Sequence, residues 1–170
     1  MKLKKGEKGF TLIELLVGLS IAAFVVGAAS MTTVTMMRLT PQNNDWAVAL
    51  SQVQNTGFWV SRDVLMSQSV TVGTGEPTFL TLTIPQITPP DKTIVYEFED
   101  MPDGLKRLMR DDQTAGQEML VAEYISTDNN DTTASYDTDS RTLTLTVTAT
   151  SGDVSVTRIY EAAQRVPASP

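Results

Sequence analysis

The densest run of potential ligands in this 170-residue chain is Ser126 to Ser140, which holds Asp128, Asn129, Asn130, Asp131, Asp137 and Asp139. Carboxylate and amide oxygens are what a hard cation such as Ca²⁺ selects. Asp128, Asn130, Thr132 and Asp139 fall at the first, third, fifth and twelfth places of a twelve-residue frame, and Asp131 lies beside them. The frame departs from an EF-hand, because Thr133 stands where the sharp turn needs Gly, the last ligand is not Glu, and strands flank it. Asp128, Asn130, Asp131 and Asp139 are therefore a candidate calcium set of another geometry, and the same residues also read as a solvated, mobile polar loop. Other chemistry is sparse. Asp111-Asp112 and Glu97 with Glu99 are paired acids of the kind glycoside hydrolysis uses, but in predicted turns and strand edges they read as solvated charge. No Gly-x-Ser-x-Gly, Ser-x-x-Lys or phosphate-cradling Gly loop occurs, and with no Cys and no His the thiol, imidazole and soft-metal chemistries are excluded. The sequence reads as a non-enzyme with no resident cofactor beyond that candidate Ca²⁺.

The remaining chemically placed residue is Glu14. It is the one strongly polar member of Phe10 to Ala29, FTLIELLVGLSIAAFVVGAA. As a helix these twenty residues span about 30 Å, enough to cross the hydrocarbon core of a bilayer. A carboxylate there costs roughly 2.5 to 3.5 kcal/mol near the helix centre and less near an end, so it calls for a partner or a function. Ahead of the run, Lys2, Lys4, Lys5 and Lys8 face only Glu7, a side-chain charge of +3 that leaves −10 on the remainder. Basic residues before the span place the tip in the cytoplasm and residues beyond about 35 outside. The acidic body offers no basic face for nucleic acid. A signal peptide or a plain single-pass anchor carrying an extracytoplasmic binding domain would also have a basic tip and an apolar run, but neither accounts for Glu14.

The string Lys8-Gly9-Phe10-Thr11-Leu12-Ile13-Glu14 resembles the class III leader of type IV pilins and of the pseudopilins of type II secretion systems. The resemblance implies cleavage by a prepilin peptidase after Gly9, N-methylation of Phe10 as first residue of a 161-residue mature chain, and a helix that stays in the cytoplasmic membrane. It implies that Glu14, fifth in the mature chain, meets the N-terminal amine of a neighbouring subunit when the helices pack into a filament. A charge pair in low dielectric selects register because leaving either partner alone is costly. A Glu snorkelling to the cytoplasmic interface is the alternative. The implied partners are the peptidase, sister pilin or pseudopilin subunits and the inner-membrane assembly platform. An Arg62-Asp63 pair and a meander of hairpins look like the J-type minor pseudopilin or the PilW-like minor pilins, and some pseudopilin heads bind calcium.

The elements that position these residues follow from periodicity. Residues 1–9 read as leader and 10–40 as transmembrane helix with its extension, which Pro41 should interrupt or kink. Residues 41–68 read as an amphipathic helix capped at Asn43, Asn44 or Asp45, with Trp46, Leu50, Val53, Gly57, Val60 and Val64 as its apolar stripe. Trp46, Phe58 and Trp59 read as core or subunit contact rather than a ligand cluster. Residues 69–170 read as a β-rich head with strands at Thr78–Ile84, Thr93–Phe98, Leu105–Arg110, Arg141–Thr148 and Val154–Tyr160, Asp103-Gly104 and Ser151-Gly152 serving as turns. Glu97 and Glu99 are expected opposite Lys106 and Arg107. The fold class is α+β: a long N-terminal helix packed on an antiparallel sheet, pilin-like.

Overall fold

The computed structural model describes residues 10–73 and 77–165, apart from the side chains of Arg38 and Asn129. The chain forms two compact units, Met1–Pro41 and Gln42–Pro170. One helix, α1 (Leu12–Met66), contributes to both.

In the first unit the apolar side chains of α1 face outward throughout, Leu12, Phe24 and Met31 among them. The hydroxyls of Ser20, Ser30, Thr32, Thr33, Thr35 and Thr40 each donate to the carbonyl four residues earlier at 2.8–3.0 Å. Each of these hydroxyls is thus satisfied by the helix itself, the local bonding open to Ser and Thr inside a helix. Of the two outcomes expected at Pro41, interruption or a kink, interruption does not occur: the proline lies inside α1. Proline removes one backbone donor and crowds the preceding turn. Intact bonding on either side carries the helix through, and no new N-cap forms at Asn43, Asn44 or Asp45.

The second unit is the remainder of α1 against an eight-stranded antiparallel sheet. The strands are β1 (Ser69–Val72), β2 (Thr78–Ile84), β3 (Lys92–Asp100), β4 (Lys106–Asp112), β5 (Gln117–Ile125), β6 (Thr133–Asp137), β7 (Thr142–Ser151) and β8 (Val154–Ala163). β1 to β5 form a meander. β7 joins it through a single bridge, Ile125 to Ala149, with Ser126 N–H donating to Thr148 O at 2.9 Å. β6 and β8 flank β7. The sheet curls far enough that β1 approaches β6.

Period-2 alternation decides which side chains line the concave face. Leu80, Leu82 and Ile84 on β2, Ile94, Tyr96 and Phe98 on β3, and Leu143, Leu145, Val147 and Ala149 on β7 are buried there. Ala49, Val53, Val60 and Val64 of α1 meet them with no exposed surface, each large side chain contributing about 1.5–3 kcal/mol when fully buried. Trp46, expected in this stripe, is half exposed, and Ala49 takes the inner position. Gly57 is the point of closest approach: a Cβ there would lie 2.3 Å from the Tyr160 ring.

Both ends of this contact are pinned by polar groups. Ser151 Oγ donates to Asp45 at 3.2 Å. At the far end Gln164 Nε2 donates to the Ser67 carbonyl and hydroxyl at 3.3 and 3.1 Å, and Arg165 N–H reaches Leu65 O at 3.3 Å. Between them sits a buried cluster. Asp63 Oδ2 accepts from Tyr96 Oη at 2.7 Å and from Arg110 Nε at 2.6 Å. Burial, and after it the Asp63 carboxylate, push the Tyr96 hydroxyl far above the ordinary phenol range. Burial works against the Arg110 charge, but its bond to Asp63 outweighs that and raises the guanidinium. Trp59 lies over the same group, with its ring centre 5.7 Å from Arg110 Cζ and 4.8 Å from Arg62 Cζ.

The turns follow their residues. Gly104 adopts φ +76° and closes β3–β4 with Met101 N–H on Leu105 O at 2.9 Å. Gly152, at φ +53°, turns β7 into β8. Glu99 stands opposite Arg107 across β3 and β4, as expected, whereas Lys106 stands opposite Asp100 and Glu97 opposite Met109. The ion pairs that form are Arg107 with Glu123 on β5 at 3.0 Å and Lys106 with Asp100 at 2.6 Å. A second expectation needs correction. Ser126 to Ser140 is not a loop: it holds a 3-10 turn at Asp128–Asn130 and β6, whose Tyr136 hydroxyl donates to Gln164 at 2.5 Å. Pairing with the regular edge of β7 orders a segment whose composition looked solvated.

Candidate functional site at the start of the helix

The candidate assembly residues lie where α1 begins. Thr11 is the residue before the helix, and Leu12, Ile13 and Glu14 are its first three. The first N–H groups of any helix lack partners inside it. Here Glu14 Oε2 accepts from the Thr11 N–H at 3.0 Å and from the Thr11 hydroxyl at 2.8 Å, while Thr11 Oγ1 accepts from the Glu14 N–H at 3.4 Å. This reciprocal arrangement is a capping box. Its signal, Thr-x-x-Glu ahead of an apolar run, is present in the sequence and was overlooked in favour of the carboxylate alone. Glu14 is thus held by its own chain, with its charge at the positive end of the helix dipole.

Around it the surface is apolar. Phe10 is 87% exposed, and Leu12, Ile13, Leu15 and Leu16 are all exposed. α1 is long and apolar enough to cross a membrane by length and composition, and its most apolar window has no buried part. Gly9 and the rest of the leader lie outside the described residues.

A basic tip, an apolar helix beginning at Leu12 and a lone capping carboxylate at its third residue are now in place. Residues 4–30 match the prokaryotic N-terminal methylation motif. This is the class III prepilin leader pattern, and it sits on a helix and sheet of pilin-like architecture. No curated protein and no solved structure matches the chain. The methylation motif marks a type IV pilin-like prepilin leader, and it fits a single-pass inner-membrane anchor.

The second candidate site fares differently. Asp128, Asn130 and Asp131 lie in or beside the 3-10 turn, whereas Asp139 lies beyond β6, about 16 Å of strand away. The structure does not bring the four together. Asp131 instead accepts from Ser126 Oγ at 2.8 Å. Asp137 accepts from Ser140 Oγ at 2.6 Å and from the Asp139 N–H at 3.0 Å; these two bonds hold its carboxyl below the usual range and order the turn after β6. Among the described residues no group of three His, Cys, Asp or Glu gathers to hold a metal.

Of the aromatic residues singled out from the sequence, Phe58 stays 62% exposed with its ring edge-on to Trp59 at 5.6 Å, and Trp59 packs partly against the core. Sequence reasoning noted Arg62-Asp63 as adjacent residues but missed their roles. Arg62 lies outside over Trp59, while Asp63 has no exposed surface and binds Arg110 and Tyr96.

Proposed function

We propose that this protein is a structural subunit, a minor pilin or minor pseudopilin, of a type IV pilus or a type II secretion pseudopilus. The observation that carries this reading is the methylation motif at residues 4–30 running into an apolar helix whose start holds one carboxylate. In this proposal the peptidase cuts between Gly9 and Phe10, and the freed Phe10 amine is methylated. Glu14 then pairs with that amine on a neighbouring subunit. The head is extracytoplasmic, and the assembly platform and sister subunits are the working partners. The chemistry is mechanical: apolar helices pack side by side, and the buried charge pair fixes their stagger.

The test is the N-terminal sequence and intact mass of the membrane-fraction protein, made with and without a prepilin peptidase. The expected result is a methylated Phe10 start that appears only with the peptidase. An intact Met1 in its presence, or a start near Met31, would replace this reading with an anchored or secreted domain.

A further inference from the structure

The turn between β5 and β6 carries Asn130-Asp131-Thr132, an Asn-x-Thr acceptor signal for N-linked glycosylation, with Asp128 two residues ahead of the asparagine. Asn130 ends the 3-10 turn at φ +62°, a left-handed conformation that Asn adopts more readily than most residues, and it is exposed. It lies at a cleft of about 320 Å³ that β1, β2 and β6 share, lined by Val72, Phe79, Phe98, Thr127 and Thr133. Phe79 and Phe98 sit 4.8 Å apart between ring centres. No lining residue is charged, in a body that is otherwise strongly acidic. A pyranose can set its C–H face toward apolar carbon and its hydroxyls toward threonines, so the cleft suits a neutral first sugar.

We infer that Asn130 is an acceptor for an N-linked glycan whose first sugar seats in this cleft. The inference rests on the extracytoplasmic placement of the head proposed above. The co-reactant is a saccharide on a polyprenyl pyrophosphate, delivered by a membrane oligosaccharyltransferase. Asn130 Nδ2 attacks C1 of the saccharide and the N–C1 bond forms. The C1–O bond breaks, the lipid pyrophosphate leaves with the electron pair, and one Nδ2 proton passes to a base of the transferase. Nothing is oxidised or reduced.

The fold also sets the order of events. Thr132 is buried, and its hydroxyl accepts from Thr148 N–H at 3.1 Å and donates to Thr148 O at 3.4 Å. A transferase that must engage this hydroxyl reaches it only before the turn closes onto β7. Transfer therefore precedes folding of the head.

The test co-expresses the full chain with a prepilin peptidase and a bacterial oligosaccharyltransferase supplied with its lipid-linked oligosaccharide. Trypsin releases residues 111–141 as one peptide, and its mass is the readout. The expected result is a glycan increment on that peptide, lost in Asn130→Gln and Thr132→Ala and kept in Thr132→Ser. The already folded chain, offered to the same enzyme, should stay unmodified. Modification of the folded chain as complete as that of the nascent one overturns the order of events. Because the chain has no Cys, an Asn130→Cys variant probed with a membrane-impermeant maleimide on spheroplasts reports topology separately. Labelling there, together with an unmodified wild-type peptide, overturns the glycan inference and leaves the filament-subunit reading standing. Labelling only after lysis overturns both.

Discussion

Asp63 on α1 accepts the Arg110 Nε hydrogen from β4 at 2.6 Å, with the carboxylate fully buried and the arginine side chain only 11% exposed. The two residues stand 47 positions apart, and Tyr96, another 2.7 Å from the same oxygen, brings in β3. A helix packed by Ala and Val alone could slide along a smooth apolar face. This cluster fixes its position, because a shift of one residue would strand a charge.

Removing one member should therefore be much worse than removing the pair. Asp63→Ala or Arg110→Ala is expected to cost about 3–5 kcal/mol, the range for an uncompensated buried charge. Asp63→Leu combined with Arg110→Met should recover most of that loss. Chemical denaturation of the detergent-solubilised full chain, followed by tryptophan fluorescence, gives both values. Single variants within about 1 kcal/mol of wild type would show that the cluster does not hold the helix in place.

Gly57 has a comparable role by being small. Alanine is about 1 kcal/mol better than glycine inside a helix, so a neutral site would gain stability from Gly57→Ala. A Cβ here meets three atoms of the Tyr160 ring within 2.6 Å, and the ring must leave its place between α1 and β8. The expected outcome is a net loss of about 1–3 kcal/mol, the usual range for overpacking. Adding Tyr160→Ala should return the alanine variant to the stability of Tyr160→Ala alone. A stabilised Gly57→Ala single variant would mean that the ring moves aside freely.

What the sequence made legible was whatever repeats locally. Thr78–Ile84 and the Arg141 to Tyr160 hairpin alternate at period 2 between turn residues, and the observed strands lie within a few residues of the expected ones. Glu14 stood out because it interrupts an apolar run. β5 stayed hidden because its apolar residues Met119 to Ala122 run together without period-2 alternation, and β6 because its five residues are mostly polar; the edges of β4 and β7 receive them as strands. Asp63, Tyr96 and Arg110 were invisible as a set, since no local pattern links three residues that the fold brings together over such separations. The interruption that was one of the two outcomes expected at Pro41 follows from local propensity alone, and α1 continues through the proline.

Acid should loosen the head at a definable place. Burial works against the charge of Asp112, but Lys92 Nζ at 2.5 Å and the Ala115 N–H at 3.1 Å outweigh it and hold the carboxyl below its ordinary value. A carboxylate depressed in the folded state contributes its stability above the unfolded value of about pH 4 and loses it as pH falls toward the folded one. Wild type should exceed Asp112→Asn in melting temperature at pH 7, and the gap should close progressively below about pH 4. A gap that stays constant from pH 7 to pH 3 would assign the effect to packing rather than to charge.

Glu14 has two separable tasks, and substitutions can tell them apart. Its carboxylate caps α1 through Thr11, and in the filament reading its charge also meets the N-terminal amine of a neighbour. Glutamine at the third helical position still supports a capping box, so Glu14→Gln keeps the cap and removes the charge. Thr11→Ala does the reverse, at a cost of about 0.5–2 kcal/mol to the helix start. If charge pairing guides assembly, Glu14→Gln and Glu14→Val should both be cleaved and inserted normally yet be depleted from sheared filaments or from crosslinks to sister subunits, while Thr11→Ala incorporates nearly as wild type. If capping is the whole of its contribution, Glu14→Gln should incorporate normally and Thr11→Ala should fail alongside Glu14→Val. Quantitative immunoblotting of the membrane and filament fractions for the four chains reads out either pattern, and normal incorporation of Glu14→Gln would remove the charge pair from the mechanism.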